Sequence, residues 1–242
     1  MNRNSTFCWT CALYLALFAP TVIAAQGPTE IIVGGVEVAR PPREVQVMVS
    51  LQERRLRVMS GADTLRVASI AVASGDVLEY AGRRWRFDPP RGRLTVLAKR
   101  ADPVWLPPDW HYVEVARSYG WRVRQLPRTG FTLGDGRRLE IRDSVVGLVM
   151  TSDTAFLELP VDEHVVFDST LFIPPLATRN RTITHELGRF ALDLGNGYLL
   201  HGTNDPSSIG TATTHGCIRL ADDDLEWLYE HVPLGASVII QD

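Results

Sequence analysis

Thr213-Thr214-His215-Gly216-Cys217-Ile218-Arg219-Leu220 is the stretch whose reading decides this chain. Of its three cysteines, Cys8 and Cys11 fall in an apolar N-terminal run, which leaves Cys217 as the single thiol of everything downstream. An exported protein with one unpaired thiol is unusual, because oxidising compartments favour paired ones. His215 and Gly216 flank this thiol, and a second His-Gly pair, His201-Gly202, lies 16 residues upstream of it. That setting points to a nucleophilic cysteine.

The surroundings say how the pieces are presented. Phe190–Leu194 and Tyr198–His201 are apolar runs around Gly195-Asn196-Gly197, a strong hairpin signal that places His201 at the exit of a strand. Cys217 follows a polar loop of Thr, Ser, Gly and Asn. Beyond it, Asp222 is the expected N-cap of an amphipathic helix with acidic residues in its first turn. Leu225, Leu228, Tyr229 and Val232 recur at helical spacing. Pro233 and Gly235 end the helix, and Ser237–Gln241 reads as a last strand.

Further upstream, Val45, Val47, Val49 and Leu51 alternate with Gln46, Met48 and Ser50, the period-two mark of a half-buried strand. Leu56 and Val58, a turn at Ser60-Gly61-Ala62-Asp63, then Leu65, Val67, Ile70 and Val72 continue a β-meander. Pro89, Pro90 and Gly92 impose a loop before a strand at Leu94–Ala98. Residues 102–112 carry three prolines and two tryptophans, which predicts a rigid loop packed on a surface or lining a groove rather than a helix interior. The middle is least legible. A short helix at Val113–Tyr119, a Gly-rich turn at Leu133–Arg137 and a buried strand at Val145–Met150 are its readable features. The fold class expected is mainly β, with one C-terminal amphipathic helix.

Met1-Asn2-Arg3, an apolar run to Ile23 and Ala24-Ala25 read as an export signal over residues 1–25, too short in its apolar part to favour a permanent anchor. Residues 26–44, with Pro28, Pro41 and Pro42, form a linker or arm. Removing residues 1–25 takes away Arg3 and no acid, leaving 24 basic against 28 acidic residues. This balance gives no footprint for nucleic acid and suits a protein of the periplasm or cell envelope. With 45% apolar residues in 242, the chain can bury a substantial core.

A thiol attacks as its thiolate, so the site must supply a base or lower the thiol pKa. His201, on a facing strand, can meet the sulfur head-on, whereas His215 is tied two residues away. Gly216 lets backbone approach a substrate closely, and the N–H groups near Gly216 and Cys217 could form an oxyanion hole. The competing readings are a buried, inert cysteine and a metal site. The latter needs three or four ligands and would have to recruit His185 or Asp205. After residue 25 neither Cys-x-x-Cys nor His-Glu-x-x-His is present, so no metal is expected. A redox role lacks a resolving cysteine. His111, His164, His185 and His231 read as surface or hydrogen-bonded structural residues, and Trp105 and Trp110 as core or loop anchors.

His201-Gly202-Thr203-Asn204-Asp205-Pro206-Ser207-Ser208-Ile209-Gly210, followed by Thr214-His215-Gly216-Cys217-Ile218-Arg219-Leu220, resembles the signature of the L,D-transpeptidase catalytic domain (YkuD-type) family. Pro90-x-Gly92-x-Leu94 is similar to that family's Thr-Pro-x-Gly-x-Phe segment, with Pro89 and Leu94 as departures. Val104-Trp105-Leu106-Pro107-Pro108 is similar to its Pro-x-Trp-x-Pro-Pro loop. The resemblance covers roughly residues 45–112 and 170–242.

It implies a β-sandwich catalytic domain over 45–242; residues 113–169 depart from the simplest family layout and, long for a loop, are expected to form an inserted lid or subdomain near the groove. By the same resemblance, Cys217 is the nucleophile, His201 the base, Gly202 the carbonyl that orients the imidazole, and His215 a supporting residue. Arg219, Gly216 and Thr203 face substrate, although Arg219 could instead pair with Asp222–Asp224. The implied substrates are peptidoglycan stem tetrapeptides. Cys217 would form a thioester at the diamino acid in position three, expelling D-alanine. An amine of a second stem would then give a 3→3 cross-link, without metal or cofactor. A lipoprotein lysine, a D-amino acid or water are the alternative acceptors. An L,D-carboxypeptidase on the same scaffold and a non-catalytic wall-binding module are the rival functions.

Overall fold

The computed structural model describes residues 44–150 and 155–242, so the expected export signal and all but the last residue of the arm lie outside the described residues. Alternating apolar residues build the first half of the domain: β1 (Val45–Ser50), β2 (Arg55–Ser60) and β3 (Asp63–Ala73) form the expected antiparallel meander, with the turn at residues 61–62. A small hairpin, β4 (Val77–Tyr80) and β5 (Arg83–Arg86), follows. The single strand expected at Leu94–Ala98 is instead two, β6 (Gly92–Thr95) and β7 (Ala98–Ala101), which belong to opposite ends of one sheet. Val96 between them is buried in the core, and Leu97 is exposed.

The first helix, α1 (Asp109–Tyr119), begins four residues earlier than the periodicity alone places it. All three prolines of the Trp-rich loop precede it, Pro108 at the N-cap, so none interrupts the helix, and Asp109 lies in the first turn where the helix dipole favours an acid. Gly120 closes it at φ 67°, a left-handed conformation suited to glycine.

The middle of the chain then forms β8 (Arg122–Gln125), β9 (Phe131–Thr132), β10 (Arg138–Arg142), β11 (Val145–Val149), β12 (Phe156–Glu158), β13 (Val165–Phe167) and β14 (Thr170–Ile173). These make a four-stranded sheet in the order β12-β11-β10-β9 and a three-stranded one in the order β13-β14-β8. Leu126, Leu133, Leu139, Val146, Leu148, Val165 and Phe172 fill a core of their own. Asn180 ties this region down, accepting from the Val146 N–H at 2.7 Å and donating to the carbonyls of Leu159 and Pro160.

The chain returns through β15 (Phe190–Asp193), β16 (Leu199–His201), β17 (Ala212–Thr214), β18 (Ile218–Leu220), α2 (Asp222–His231) and β19 (Ser237–Gln241). With the early strands they form one curled ten-stranded sheet, ordered β6-β19-β1-β2-β3-β18-β16-β15-β7 with β17 on β3. Val47, Val49, Leu56, Val58 and Ile70 from one part of it meet Leu192, Leu200, Ile218 and Leu220 from the other in one core. The second helix lays fully buried Leu225 and Leu228 on this core, each worth roughly 1.5–3 kcal/mol of burial. Its N-cap is Ala221, not the expected Asp222. Asp222 is the first helical residue, and its carboxylate accepts from the Thr203 N–H at 3.4 Å. The expectation of a mainly β fold holds, and its two α-helices are the expected C-terminal one and the short one before Gly120, which starts earlier than expected.

Candidate active site

Register brings the two motifs together. Strands β16 and β18 pair in parallel, with His201 opposite Arg219 and Leu200 opposite Ile218. Cys217 immediately precedes β18, so it shares a strand face with Arg219, two residues on. His201, Arg219, Cys217, Gly216 and His215 all line one groove of about 530 Å³.

His201 is only 4% exposed, and its Nδ1 donates to the Gly202 carbonyl at 2.7 Å, which leaves Nε2 as the free lone pair of the neutral ring. Burial, with Arg219 nearby, pulls its pKa down to about 4 against the raising effect of the Gly202 carbonyl. Burial also pushes the Cys217 thiol up, although the Leu199 N–H and Arg219 favour its thiolate. Its Sγ–H reaches the Gly197 carbonyl, in the hairpin turn, at 3.7 Å. Both shifts favour the uncharged state: thiol and neutral imidazole.

Gly216 adopts φ 140°, and a Cβ there would lie 3.4 Å from Tyr198 Cε1 on the groove wall. Only glycine sits comfortably in that conformation. Gly202 is fixed for another reason. Its Cα packs against Gly188 and the Asp222 carboxylate, leaving no room for a side chain.

The remaining expected site residues are placed less uniformly. His215 Nε2 pairs with Glu114 Oε2 at 2.8 Å, its ring stacks on Trp110 at 3.9 Å and it meets Phe87 edge-on at 4.3 Å. Arg219 donates from Nη1 to Ser208 Oγ at 3.0 Å, and its buried Nε has no partner among the described residues. It makes no ion pair with the acids of α2. Arg66 takes Asp224 at 2.6 Å, and Asp222 is on Thr203. Thr203 does not line the groove. Its side chain is spent on the turn with Asp205, accepting from that N–H at 2.9 Å and donating to that carbonyl.

Residues that the motif left out complete the walls. Trp105, Trp110 and His111 line the groove, and Trp105 meets His111 at 4.9 Å, so the tryptophans are groove walls as well as loop anchors. His111, read as structural, contacts His164 Nε2 to Nε2 at 3.1 Å and has its pKa lowered to about 4, chiefly by burial. Glu114, Glu186 and Tyr198 also face in. The run of prolines and aromatics at 102–112 signalled a groove; nothing local marked either glutamate. Among the described residues no group of three or more His, Cys, Asp or Glu could hold a metal ion.

Residues 44–240 match the sequence model of the YkuD family, the L,D-transpeptidase catalytic domain. Over 56 residues the chain is 45% identical to the probable L,D-transpeptidase ErfK/SrfK of Salmonella typhimurium, covering 23% of this chain and 18% of that protein. Over 52 residues it is 44% identical to the probable L,D-transpeptidase YbiS of Escherichia coli, covering 22% and 17%. The chain thus matches less than a fifth of the length of these relatives. Among solved structures, an L,D-transpeptidase from Mycobacterium smegmatis aligns over 82% of this chain and 59% of its own, with a TM-score of 0.41 and 19% identity.

Proposed function

Since the chain belongs to the L,D-transpeptidase catalytic domain family, we propose that it is an exported, cysteine-dependent L,D-transpeptidase of the cell envelope that acts on peptidoglycan stem tetrapeptides. The observation that carries this reading is the arrangement around His201. A buried imidazole, its Nδ1–H held by Gly202, keeps Nε2 available in the groove that Cys217 enters. In the resting pair neither group is charged, so His201 acts as a general base when the substrate arrives. Its Nε2 takes the thiol proton as Sγ attacks the carbonyl of the third stem residue. Backbone N–H groups at Gly216 and Cys217 receive the oxyanion. The imidazolium returns the proton to the departing D-alanine amine, leaving a thioester on Cys217. An acceptor amine then attacks the thioester, His201 removes its proton, and the thiol is regenerated with a new amide.

The segment 113–169 selects the acceptor. Its first helix already supplies Glu114 to the groove, and His164 contacts the groove-lining His111. Replacing residues 126–169 by a short linker should change which amine resolves the thioester; unchanged activity and preference would sink this role.

The test of the reaction is incubation with a disaccharide-tetrapeptide, followed by mass spectrometry, with Cys217→Ala as control. A cross-linked dimer with loss of D-alanine, absent in the variant, is the expected result. Tripeptide alone would make the protein an L,D-carboxypeptidase, and no turnover in either protein would make it a binding module.

A further inference from the structure

The groove contains two side chains of opposite charge that the protein does not neutralise. Glu114, the first acid on its wall, is already paired with His215. Glu186 is not paired with any cation among the described residues; one oxygen accepts from Asn204 Nδ2 at 2.9 Å, and the carboxylate is only half-buried. Arg219 likewise has no acid, only the Ser208 hydroxyl, and its Nε is buried and unsatisfied. Glu186 and Arg219 do not pair with each other, yet both line the groove that holds Cys217. An unsatisfied buried Nε is costly, and an unpaired, half-buried acid in the same groove adds the opposite sign, a pairing suited to a ligand that carries both charges.

The loop that presents Glu186 is held firmly. His185 before it adopts φ 63°, and Gly188 after it adopts φ 69°, its N–H on the His185 carbonyl at 3.3 Å. Gly188 also packs against Gly202, next to the proposed base. Asn204, which orients the carboxylate, follows the same His-Gly-Thr segment. The backbone that carries Glu186 is therefore packed against the segment that carries His201.

We propose that Glu186 is a specificity-determining residue that binds a free ammonium on the substrate, with Arg219 taking a carboxylate of the same molecule. This rests on the peptidoglycan reading and deepens it. A stem tetrapeptide with a diamino acid at its third position offers both groups: the unacylated side-chain amine and the C-terminal carboxylate. Stems whose third-residue amine is already acylated, as after cross-linking, would be poor ligands, so the enzyme would select unused stems as donors.

The experiment uses two synthetic tetrapeptides with a diamino acid at position three, one with the side-chain amine free and one N-acetylated. Binding of each is measured by calorimetry to Cys217→Ala protein with and without Glu186→Gln, which keeps an oxygen for Asn204. The free amine should bind at least about tenfold tighter, the scale of one hydrogen bond to a charged group, and Glu186→Gln should abolish the difference. Equal binding of both peptides, or a preference that survives Glu186→Gln and so reflects only the bulk of the acetyl group, would overturn the inference. Turnover of the free peptide by the wild-type protein, measured in parallel, separates that failure from failure of the transpeptidase reading. Absence of both binding and turnover would overturn the two together.

Discussion

His215 Nε2 lies 2.8 Å from Glu114 Oε2, and through this contact the first helix holds the histidine two residues from the proposed nucleophile. The same helix supplies Trp110, on which the imidazole stacks. A side chain fixed on one face by an aromatic ring and at one nitrogen by a carboxylate has little rotational freedom. His215 is thus a positioned wall of the groove.

Glu114→Ala should lower kcat/KM for cross-linking about ten- to a hundredfold, the range expected when a site loses its alignment. Stability should change little, within about 1 kcal/mol, because both partners are partly exposed. Steady-state kinetics beside urea unfolding would check this. Loss of fold with loss of activity would show that the contact is structural instead.

The rate of Cys217 acylation should be level from about pH 5 to 8. His201 works as a base only when neutral, and burial lowers its pKa to about 4, so the acid limb falls there and not near the free-imidazole value of about 6.5. The thiol, raised by burial, adds an ionisation only on the alkaline side of the plateau. Carbapenem acylation followed by mass spectrometry across pH gives the profile. An acid limb near 6.5 would show either that burial does not lower the His201 pKa or that another histidine gates the reaction.

The chemistry of the site was legible because it is local in sequence. Gly195-Asn196-Gly197 forces the hairpin that delivers His201, and His215-Gly216-Cys217 lies just before a short strand, so strand register alone brings them to one groove. Glu114 and Glu186 were not legible, since each reaches the groove through long-range packing. Within residues 120–173 the buried strand β11 and the turn at Leu133–Arg137 were legible, but the other strands were not, for a related reason. Those strands are two to five residues long, too short for a clear period, and their core is shared between two small sheets. Asp222 misled because Asp before a helical pattern signals a cap, whereas here the carboxylate is taken by Thr203.

Arg181 should be among the costliest residues to remove. It is 3% exposed and gives hydrogen bonds to the carbonyls of Pro107 and Pro174, both at 2.8 Å, and to Asp109 Oδ1 at 2.9 Å. It therefore clamps the Trp-rich loop, the start of α1 and the end of β14's exit in one place. Arg181→Met leaves those carbonyls without donors and Asp109 with only Arg83 and Gln125. A loss of about 3–5 kcal/mol is expected for breaking such a buried pair, read as the midpoint shift in urea. A shift corresponding to less than about 1 kcal/mol would show that the clamp is dispensable.

Gly202→Ala tests whether the imidazole is held through packing around its own carbonyl acceptor. The added methyl would strike the Asp222 carboxylate and approach Gly188 Cα at 3.0 Å, and both neighbours are backbone or helix-anchored groups with little room to retreat. Overpacking of this kind costs about 1–3 kcal/mol. The displaced Gly202 carbonyl would also loosen the 2.7 Å bond that sets the His201 tautomer. The variant should therefore lose kcat far more than substrate binding, while Gly82→Ala, in the β4–β5 turn with open space around it and outside the groove, should cost only backbone strain. Comparing kcat and KM for the two variants separates the outcomes. If Gly202→Ala raised KM alone and left kcat intact, the Gly202 carbonyl would not be what orients the base.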